Sequence, residues 1–585
     1  MARVYINAHR GGITYSEFRL VRIRGGLDRC IEMPATHSSS PRVMTQPYRR
    51  SIAPRLRPRV HSARSFLSAF LLAGAAAAPL ALTPAAITTA LIAAPTGAQA
   101  QQRAARAPDM AAFDRYVAKA VGDWKVPGLA IAVVKNDSLV FAKGYGVIEQ
   151  GKPARVDEHT RFAIGSTTKA MTVTALAMLA DEGKLSFDDR VIDHLPNFRL
   201  HDAWATRELT IRDLLTHRTG LPGTDLLWIF DSYPTDEIFQ RIRYVEPESS
   251  FRSHWEYQNV MYALAGAIVE QASGMSWADF LRQRIFQPLS MTETIPLVSE
   301  LRGKPNVAVP HAELDDSVQV VSIRTTDPIA PAGSVWSSVH DMSIWMRFIL
   351  DSGRIGDKRL VKPETFREIV APEIRAPMAE YPALRLAQPH FFSYALGWFV
   401  QDYKGETVWM HTGSIDGMCA IIGLLPAQRV GVYVLENLDH AELRHALMYR
   451  VFDMYERNPQ RDWSGDLHRL FEEMESKAEA ARAKRDSTRA KNTHPTLPLQ
   501  NYVGTYSDSV YGKVDITLAG DSLRFRFVKG DSQPLEHVEY DVFRAKAKNT
   551  IEPDPVVTFV LDGSGGVSAL RAFGVEFRRE RGNAN

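Results

Sequence analysis

The chain predicts an α+β fold, an antiparallel sheet flanked by helices, followed by a small antiparallel β-barrel. Two observations lead there. Strand-like apolar runs stand at both ends of the first 455 residues with helical patterns between them, so one sheet built from both ends, with helices packed on it, accounts for the order. After Pro495 and Pro498 the pattern changes to short strands, with strict apolar alternation in Leu523-Arg-Phe-Arg-Phe527. At 585 residues the chain is too long for one ordinary domain.

The divisions expected are 1–100, an export leader; 108–455, the main domain; 456–495, a charged helical linker; and 496–582, the β domain. Residues 1–65 carry thirteen arginines, no lysine and three acidic residues, and residues 66–100 carry no charge. Subtracting that +10 from the chain's +3 leaves a mildly acidic body of −7, which excludes a nucleic-acid surface. Ala98-Gln99-Ala100 fits the small-x-small cleavage rule, placing maturation near Gln101. Met44 is an alternative start to Met1. An uncleaved membrane anchor is the other reading, against which Pro79, Pro84 and Pro95 stand. Either way a periplasmic or secreted body is expected. Cys30 and Cys419 are too far apart and too few for a disulfide framework or cysteine metal cluster. A lone mature cysteine suits an oxidising compartment.

Met110–Trp124 reads as an amphipathic helix. Apolar runs on either side of Lys135-Asn-Asp-Ser138 read as a β-hairpin. A helix carrying Ala170, Val173, Leu176, Ala177 and Ala180 on its apolar side stops at Gly183. Residues 200–300 mix helices and loops, 300–335 look irregular, and Ser338–Leu350 is helical. Late strands are expected at Ala395–Asp402, Glu406–His411, Cys419–Leu425 and Arg429–Glu436, the last two pairing across Pro426-Ala-Gln428. Residues 461–492 pass from acidic to basic with no broad apolar face, a solvated helix. In the β domain, strands are expected at Gly504–Tyr506, Val514–Leu518, Leu523–Phe527, Val556–Val560 and Val575–Phe577.

Three motifs carry chemistry. Ser166 and Lys169, at i and i+3, project from one face of a helix start. A serine hydroxyl needs a base to become nucleophilic, and a desolvated lysine amine is such a base. Tyr257-Gln-Asn259 precedes the helical run Val260–Gln271. A phenol beside an ammonium ionises more readily and can shuttle the Ser166 proton. Asn259 would hold a substrate carbonyl or fix the lysine. His411-Thr412-Gly413, followed by Ser414, ends a strand. There the glycine permits close approach of another segment, and the N–H groups of Ser414 and Ser166 would stabilise an oxyanion. His411 would bond the substrate or the tyrosine.

The order Ser-x-x-Lys, Tyr-x-Asn, His-Thr-Gly resembles the serine β-lactamase and penicillin-binding-protein superfamily. It is most similar to the branch holding class C β-lactamases, D-aminopeptidases, D-alanyl-D-alanine carboxypeptidases and family-VIII-type esterases. Leu214-Leu-Thr-His-Arg-Thr-Gly-Leu-Pro222, Ala265–Gly274 and Pro331-Ala-Gly-Ser-Val335 carry the same likeness, over about 108–455. Leu499-Gln-Asn-Tyr-Val-Gly-Thr-Tyr506 resembles a lipocalin-like domain fused to some of these hydrolases. The resemblance implies a β-lactamase/transpeptidase-like fold with Ser166 as nucleophile, Lys169 as its activating partner and Tyr257 as general acid/base. Asn259, His411, Thr412, Gly413 and Ser414 would face the substrate. Where the family's lysine often stands the chain has His411, a poor permanent cation, which counts against recognition of a substrate carboxylate. Gln258 stands where serine or alanine is frequent and is expected to narrow the pocket.

The function expected is an exported serine hydrolase cleaving an ester or amide (a D-amino-acid peptide, a short ester or a β-lactam) through an acyl-enzyme. It needs no metal or organic cofactor. Its partners are a small-molecule or peptide substrate, no nucleic acid, and a membrane only with an uncleaved leader. A homo-oligomer is compatible. The alternative is a penicillin-binding sensor, or a scaffold using the β domain for partner binding. His217 reads as a structural histidine. His440 and His445, five apart, point about 140° from each other on a helix, so a zinc site there is not expected. Cys419 reads as a small buried apolar residue.

Overall fold

A computed structural model describes residues 108–230, 232–455, 461–546, 551 and 554–581. The expected export leader, with Met1, Met44 and Cys30, lies outside these residues.

Helix α1 (Met110–Asp123), capped by the Asp109 carboxylate, leads into strands β1 (Gly128–Lys135) and β2 (Ser138–Gly146). A 3-10 turn, Gly165–Thr168, opens α2 (Lys169–Asp181). Then come α3 (Asn259–Ser273) and α4 (Val339–Leu350). Strands β3 (Ile374–Arg375), β4 (Phe392–Tyr394), β5 (Phe399–Tyr403), β6 (Glu406–Ile415), β7 (Met418–Leu425) and β8 (Val430–Glu436) follow, and then α5 (Leu443–Tyr455). These strands form one antiparallel sheet in the order β2-β1-β8-β7-β6-β5-β4-β3. The first hairpin thus joins the last: Leu129 pairs with Glu436 and Lys135 with Val430.

Period-two alternation divides the sheet's side chains between two cores. Ala130, Ala132 and Val134 with Ala420, Ile422 and Leu424 face the core that holds α2, α3 and α4. Leu129, Ile131 and Val133 with Ile421, Val432 and Val434 face α1 and α5. Helix α2 is buried almost all round, which explains its run of small and apolar residues, and its two buried threonines, Thr172 and Thr174, hydrogen-bond to the carbonyls of Pro331 and Ala170. Gly183 ends it at φ +72°, the left-handed conformation that glycine adopts freely.

Some expectations are corrected. Of the strand expected at Ala395–Asp402 only the part from Phe399 is strand: a strand Phe392–Tyr394 ends before it, and the chain turns at Leu396-Gly397, with Gly397 at φ +76°. The strand expected to end at His411 runs on to Ile415. The irregular 300–335 region holds a hairpin, His311–Leu314 with Ser317–Val320.

Helix α6 (Trp463–Ser487) lies between this body and the β domain. Eight strands follow: β9 (Gly504–Asp508), β10 (Gly512–Ala519), β11 (Ser522–Phe527), β12 (Gln533–Glu539), β13 (Val542–Ala545), β14 (Val556–Leu561), β15 (Val567–Ala572) and β16 (Val575–Arg579). They close into an up-and-down antiparallel barrel, β16 returning to β9. Three of them, β12, β13 and β15, were not foreseen.

The barrel touches the main domain through the turn between β9 and β10. Val510 is buried in the main-domain core, and Phe230 packs edge-on against Phe527 and tilted against Phe573. The Tyr233 hydroxyl donates to the Tyr511 carbonyl at 3.2 Å, and the Arg241 guanidinium donates to that of Val510 at 3.0 Å. A Cβ on Gly512 would lie 1.8 Å from the Tyr233 oxygen, so that contact requires glycine.

Candidate active site

Ser166 stands on the 3-10 turn before α2, partly exposed among buried neighbours. The turn is held by the Thr167 hydroxyl, which donates to the Ile164 carbonyl at 2.8 Å. One turn further on, Lys169 Nζ lies 3.0 Å from Ser166 Oγ. Lys169 is fully buried, and its other partners are Asn259 Oδ1 at 2.8 Å and the Ala332 carbonyl at 2.9 Å. Burial holds its pKa well below the usual lysine value, with the Asp225 carboxylate acting in the opposite sense. Burial thus works towards the neutral amine, whose two N–H groups serve Asn259 and Ala332 while its lone pair faces the Ser166 hydroxyl.

Two glycines set the approach of strand β6. Strand β5 pairs with β6 only as far as Met410, leaving one edge of His411–Ile415 open to the Gly165–Ser166 turn. A Cβ on Gly413 would fall 2.0 Å from the Ile164 carbonyl oxygen and 3.1 Å from the Ser166 nitrogen. Gly165, at φ +50°, would place a Cβ 2.7 Å from the Ser414 nitrogen. Only with glycine at both positions do the backbones of Ser166 and Ser414 come together.

Tyr257 arrives just before α3. Its ring lies under the Lys169 amine, 4.7 Å from nitrogen to centroid, and 4.3 Å from the His217 ring. Burial pushes its phenol well above the usual value, against the pull of the Ser166 hydroxyl it faces. The expected ease of ionisation is therefore reversed: the phenol is held neutral. Asn259 bridges Lys169 to Asp225, its Nδ2 donating to the two Asp225 oxygens at 3.2 and 3.3 Å. Of its two expected roles it takes the one of fixing the lysine. Helix α3 reaches this position because Gly266 has no side chain where Pro331 packs, and the Pro331 segment in turn presents the Ala332 carbonyl to Lys169.

His411 departs from the expected substrate contact. It is 1% exposed, with Nδ1 2.6 Å from the Thr412 carbonyl, so that nitrogen carries the proton, and with Nε2 2.9 Å from the Tyr394 hydroxyl, from which it accepts. Its tyrosine partner is Tyr394, not Tyr257. Burial and the nearby Lys169 lower its pKa to about 3, so it is a neutral imidazole. Thr412 is likewise engaged, its hydroxyl 2.8 Å from that of Tyr381. Gln258 does not narrow the pocket. It is buried, accepts from the Thr219 hydroxyl at 2.8 Å, and donates to the carbonyls of Leu221 and Pro222. His217 accepts the Gln258 N–H at 3.1 Å.

Sequence reasoning missed Asp225, Tyr394 and Arg444. Asp225 sits in an irregular stretch with no periodicity. The Arg444 guanidinium, buried behind β6, donates to the Gly413 carbonyl at 2.6 Å and to Ser414 Oγ at 2.9 Å. Arg444 is one of two arginines, with Arg450, in the mainly apolar run Leu443–Phe452, and no local pattern singles it out. Cys419 is free and buried, as expected.

A hydroxyl on a helix-opening turn, a buried lysine against it, a phenol above and a glycine-bearing strand alongside define a serine hydrolase of the β-lactamase/transpeptidase fold. The β-lactamase family profile matches residues 113–453, so the chain belongs to the β-lactamase family; a domain of unknown function (DUF3471) matches 488–583. The chain is 26% identical over 474 residues to an unguisins hydrolase of Aspergillus violaceofuscus, covering 74% of this chain and 82% of that protein. It is 27% identical over 322 residues to the protein flp of Staphylococcus aureus, covering 54% of this chain and 60% of that one. Among solved structures, the octameric penicillin-binding protein homologue from Pyrococcus abyssi superposes with a TM-score of 0.52 at 22% identity, over 80% of this chain and 99% of that one. That likeness is one of fold.

Proposed function

We propose that the protein is an exported hydrolase that cleaves an ester or amide through an acyl-enzyme on Ser166. Neutral Lys169 takes the Ser166 proton as the hydroxyl attacks the carbonyl, and returns it to Ser166 Oγ when water releases the acyl group. Tyr257, protonated at rest, gives a proton to the leaving group and recovers it from the attacking water. The N–H groups of Ser166 and Ser414 receive the oxyanion, each such donor being worth about 3–4 kcal/mol of barrier. The body at 108–455 carries the reaction, 456–495 links it, and 496–582 is a lipocalin-like domain, a reading that the up-and-down closure of the barrel supports.

The observation that carries the proposal is the 3.0 Å contact between a fully buried lysine amine and the one partly exposed hydroxyl of the turn. A neutral His411 with both nitrogens engaged supports substrates without a carboxylate at that position, hence esters and D-amino-acid amides ahead of β-lactams. A periplasmic or secreted location and a homo-oligomer belong to the same reading.

A fluorophosphonate probe should label wild-type protein at Ser166, and Ser166→Ala should abolish both labelling and hydrolysis of a p-nitrophenyl ester, a D-alanine anilide or a chromogenic cephalosporin. Retained turnover in the alanine variant refutes the assignment. Intact mass after incubation separates the readings: a transient adduct marks an enzyme, a persistent one a penicillin-binding sensor, and none a scaffold.

A further inference from the structure

Outside the Ser166 site, three segments distant in sequence bring two imidazoles and a carboxylate together. His159 lies on the approach to the nucleophile turn, Glu293 on the turn after Met291, and His340 in the first turn of α4. One donor atom from each lies within 4.8 Å of the others. His159 Nδ1 is 2.8 Å from Glu293 Oε1, His340 Nδ1 is 3.8 Å from Glu293 Oε2, and the two imidazole centroids are 5.0 Å apart.

We propose that these residues form a binding site for a divalent transition-metal ion of the zinc class, with solvent completing its coordination. Two imidazoles and a carboxylate are a donor set that zinc takes in open sites, where water fills the fourth position. The hard cations magnesium and calcium prefer all-oxygen surroundings. Zinc–ligand bonds of about 2.0–2.2 Å require donor atoms about 3.3 Å apart. From a spread of up to 4.8 Å the donors must draw in by up to about 1.5 Å, and the His159–Glu293 pair must open from 2.8 Å. Both imidazoles can rotate to do so, since the His159 and His340 side chains are 47% and 41% exposed, whereas Glu293 is 19% exposed.

The surroundings suit a cation. The Ser338 hydroxyl donates to Glu293 Oε2, fixing the carboxylate. The buried Asp341 carboxylate lies 3.3 Å from His340 Nδ1 and accepts from the Glu293 N–H at 2.8 Å. Asp341, beside the His340 ring, is a second carboxylate placed to orient it. Glu158 stands 3.8 Å from His159 Nε2 and adds a third negative charge.

An ion here would tie together segments that already converge on one small sheet. Phe162 and Ala163 pair with Ser337 and Trp336, and Ile295 bridges to Trp336. Three residues beyond Ala163 is Ser166. Binding to the folded state alone raises stability by mass action, so the metal would stiffen the strand that delivers the nucleophile without entering the reaction.

The test uses the full chain, stripped with a chelator and titrated with zinc against a chromogenic competitor, with thermal unfolding followed in parallel. The expected result is one zinc per chain and an unfolding midpoint that rises with zinc. The pair His159→Ala and His340→Ala should bind at least tenfold more weakly and lose the rise. The exposed His159→Gln variant alone, which leaves α4 untouched, should weaken binding in the same sense. Cobalt(II) should give a visible absorption band in wild type that the double variant lacks. Equal zinc uptake by wild type and both variants would overturn the site. So would no uptake by wild type at a hundred-micromolar excess, which would leave an ion pair between His159 and Glu293.

Discussion

The buried lysine is the residue on which the chemistry turns, and its environment predicts a pH profile. Only the neutral amine accepts a proton, and burial lowers the Lys169 pKa. The ascending limb of kcat/KM against pH should therefore lie well below the ordinary lysine value of about 10.4. Asp225 opposes the shift, so Asp225→Asn, which keeps an acceptor for Asn259, should move that limb to lower pH; an unmoved limb would remove Lys169 from the base role. Lys169→Met should lower kcat by about a hundred- to ten-thousand-fold, measured by ester hydrolysis. His411 makes a second prediction. Its folded pKa of about 3 lies below the unfolded value of about 6.5. The unfolded chain thus takes up a proton first as pH falls, and stability is lost between those values. For this buried ring the full loss is on the order of 5 kcal/mol. Urea midpoints measured from pH 7 to pH 4 should fall less steeply in His411→Gln.

At the scale of elements, the meeting of β6 with the nucleophile turn is the part the fold cannot relax. Gly413→Ala sets a methyl against the Ile164 carbonyl at 2.0 Å, and the strand must withdraw. Loss of one oxyanion donor costs about a hundred- to a thousand-fold in turnover. Gly413→Ala should show at least that, while circular dichroism reports an intact fold; wild-type turnover would show that the two backbones need not meet. This scale also divides what the sequence made legible from what it hid. The Ser166–Lys169 spacing, the continuous apolar runs of β7 and β8 and the stop at Gly183 are local, and each is found where local rules put it. The second half of β6 was missed because Gly413 is a poor strand former, held extended by the ladder to Ala420. Strands β12, β13 and β15 escaped because their polar positions break the alternation, and barrel closure orders them. Asp225, Tyr394 and Arg444 act through contacts spanning 34, 17 and 31 positions, which no short motif encodes.

For the whole molecule, the barrel is packed into the main domain through Val510 and the rings around Phe230. Ending the chain after residue 495 strips that cover from Phe230 and Tyr233. The shortened protein should unfold at a lower temperature and self-associate, as read by calorimetry and size-exclusion chromatography. Phe230→Ala in the full chain should cost about 1–2 kcal/mol, the loss of two aromatic pairs. A shortened protein as stable as the parent would mean that the two domains merely touch.

The seam between β1 and β8 has a consequence for how the protein comes into being. The second strand of that seam is made only after the segments for every other strand of the sheet have left the ribosome. A nascent chain lacking Val430–Glu436 has a gap at the middle of its sheet, not at its rim. The polypeptide stays open for most of its synthesis and closes late, when its two ends find one another.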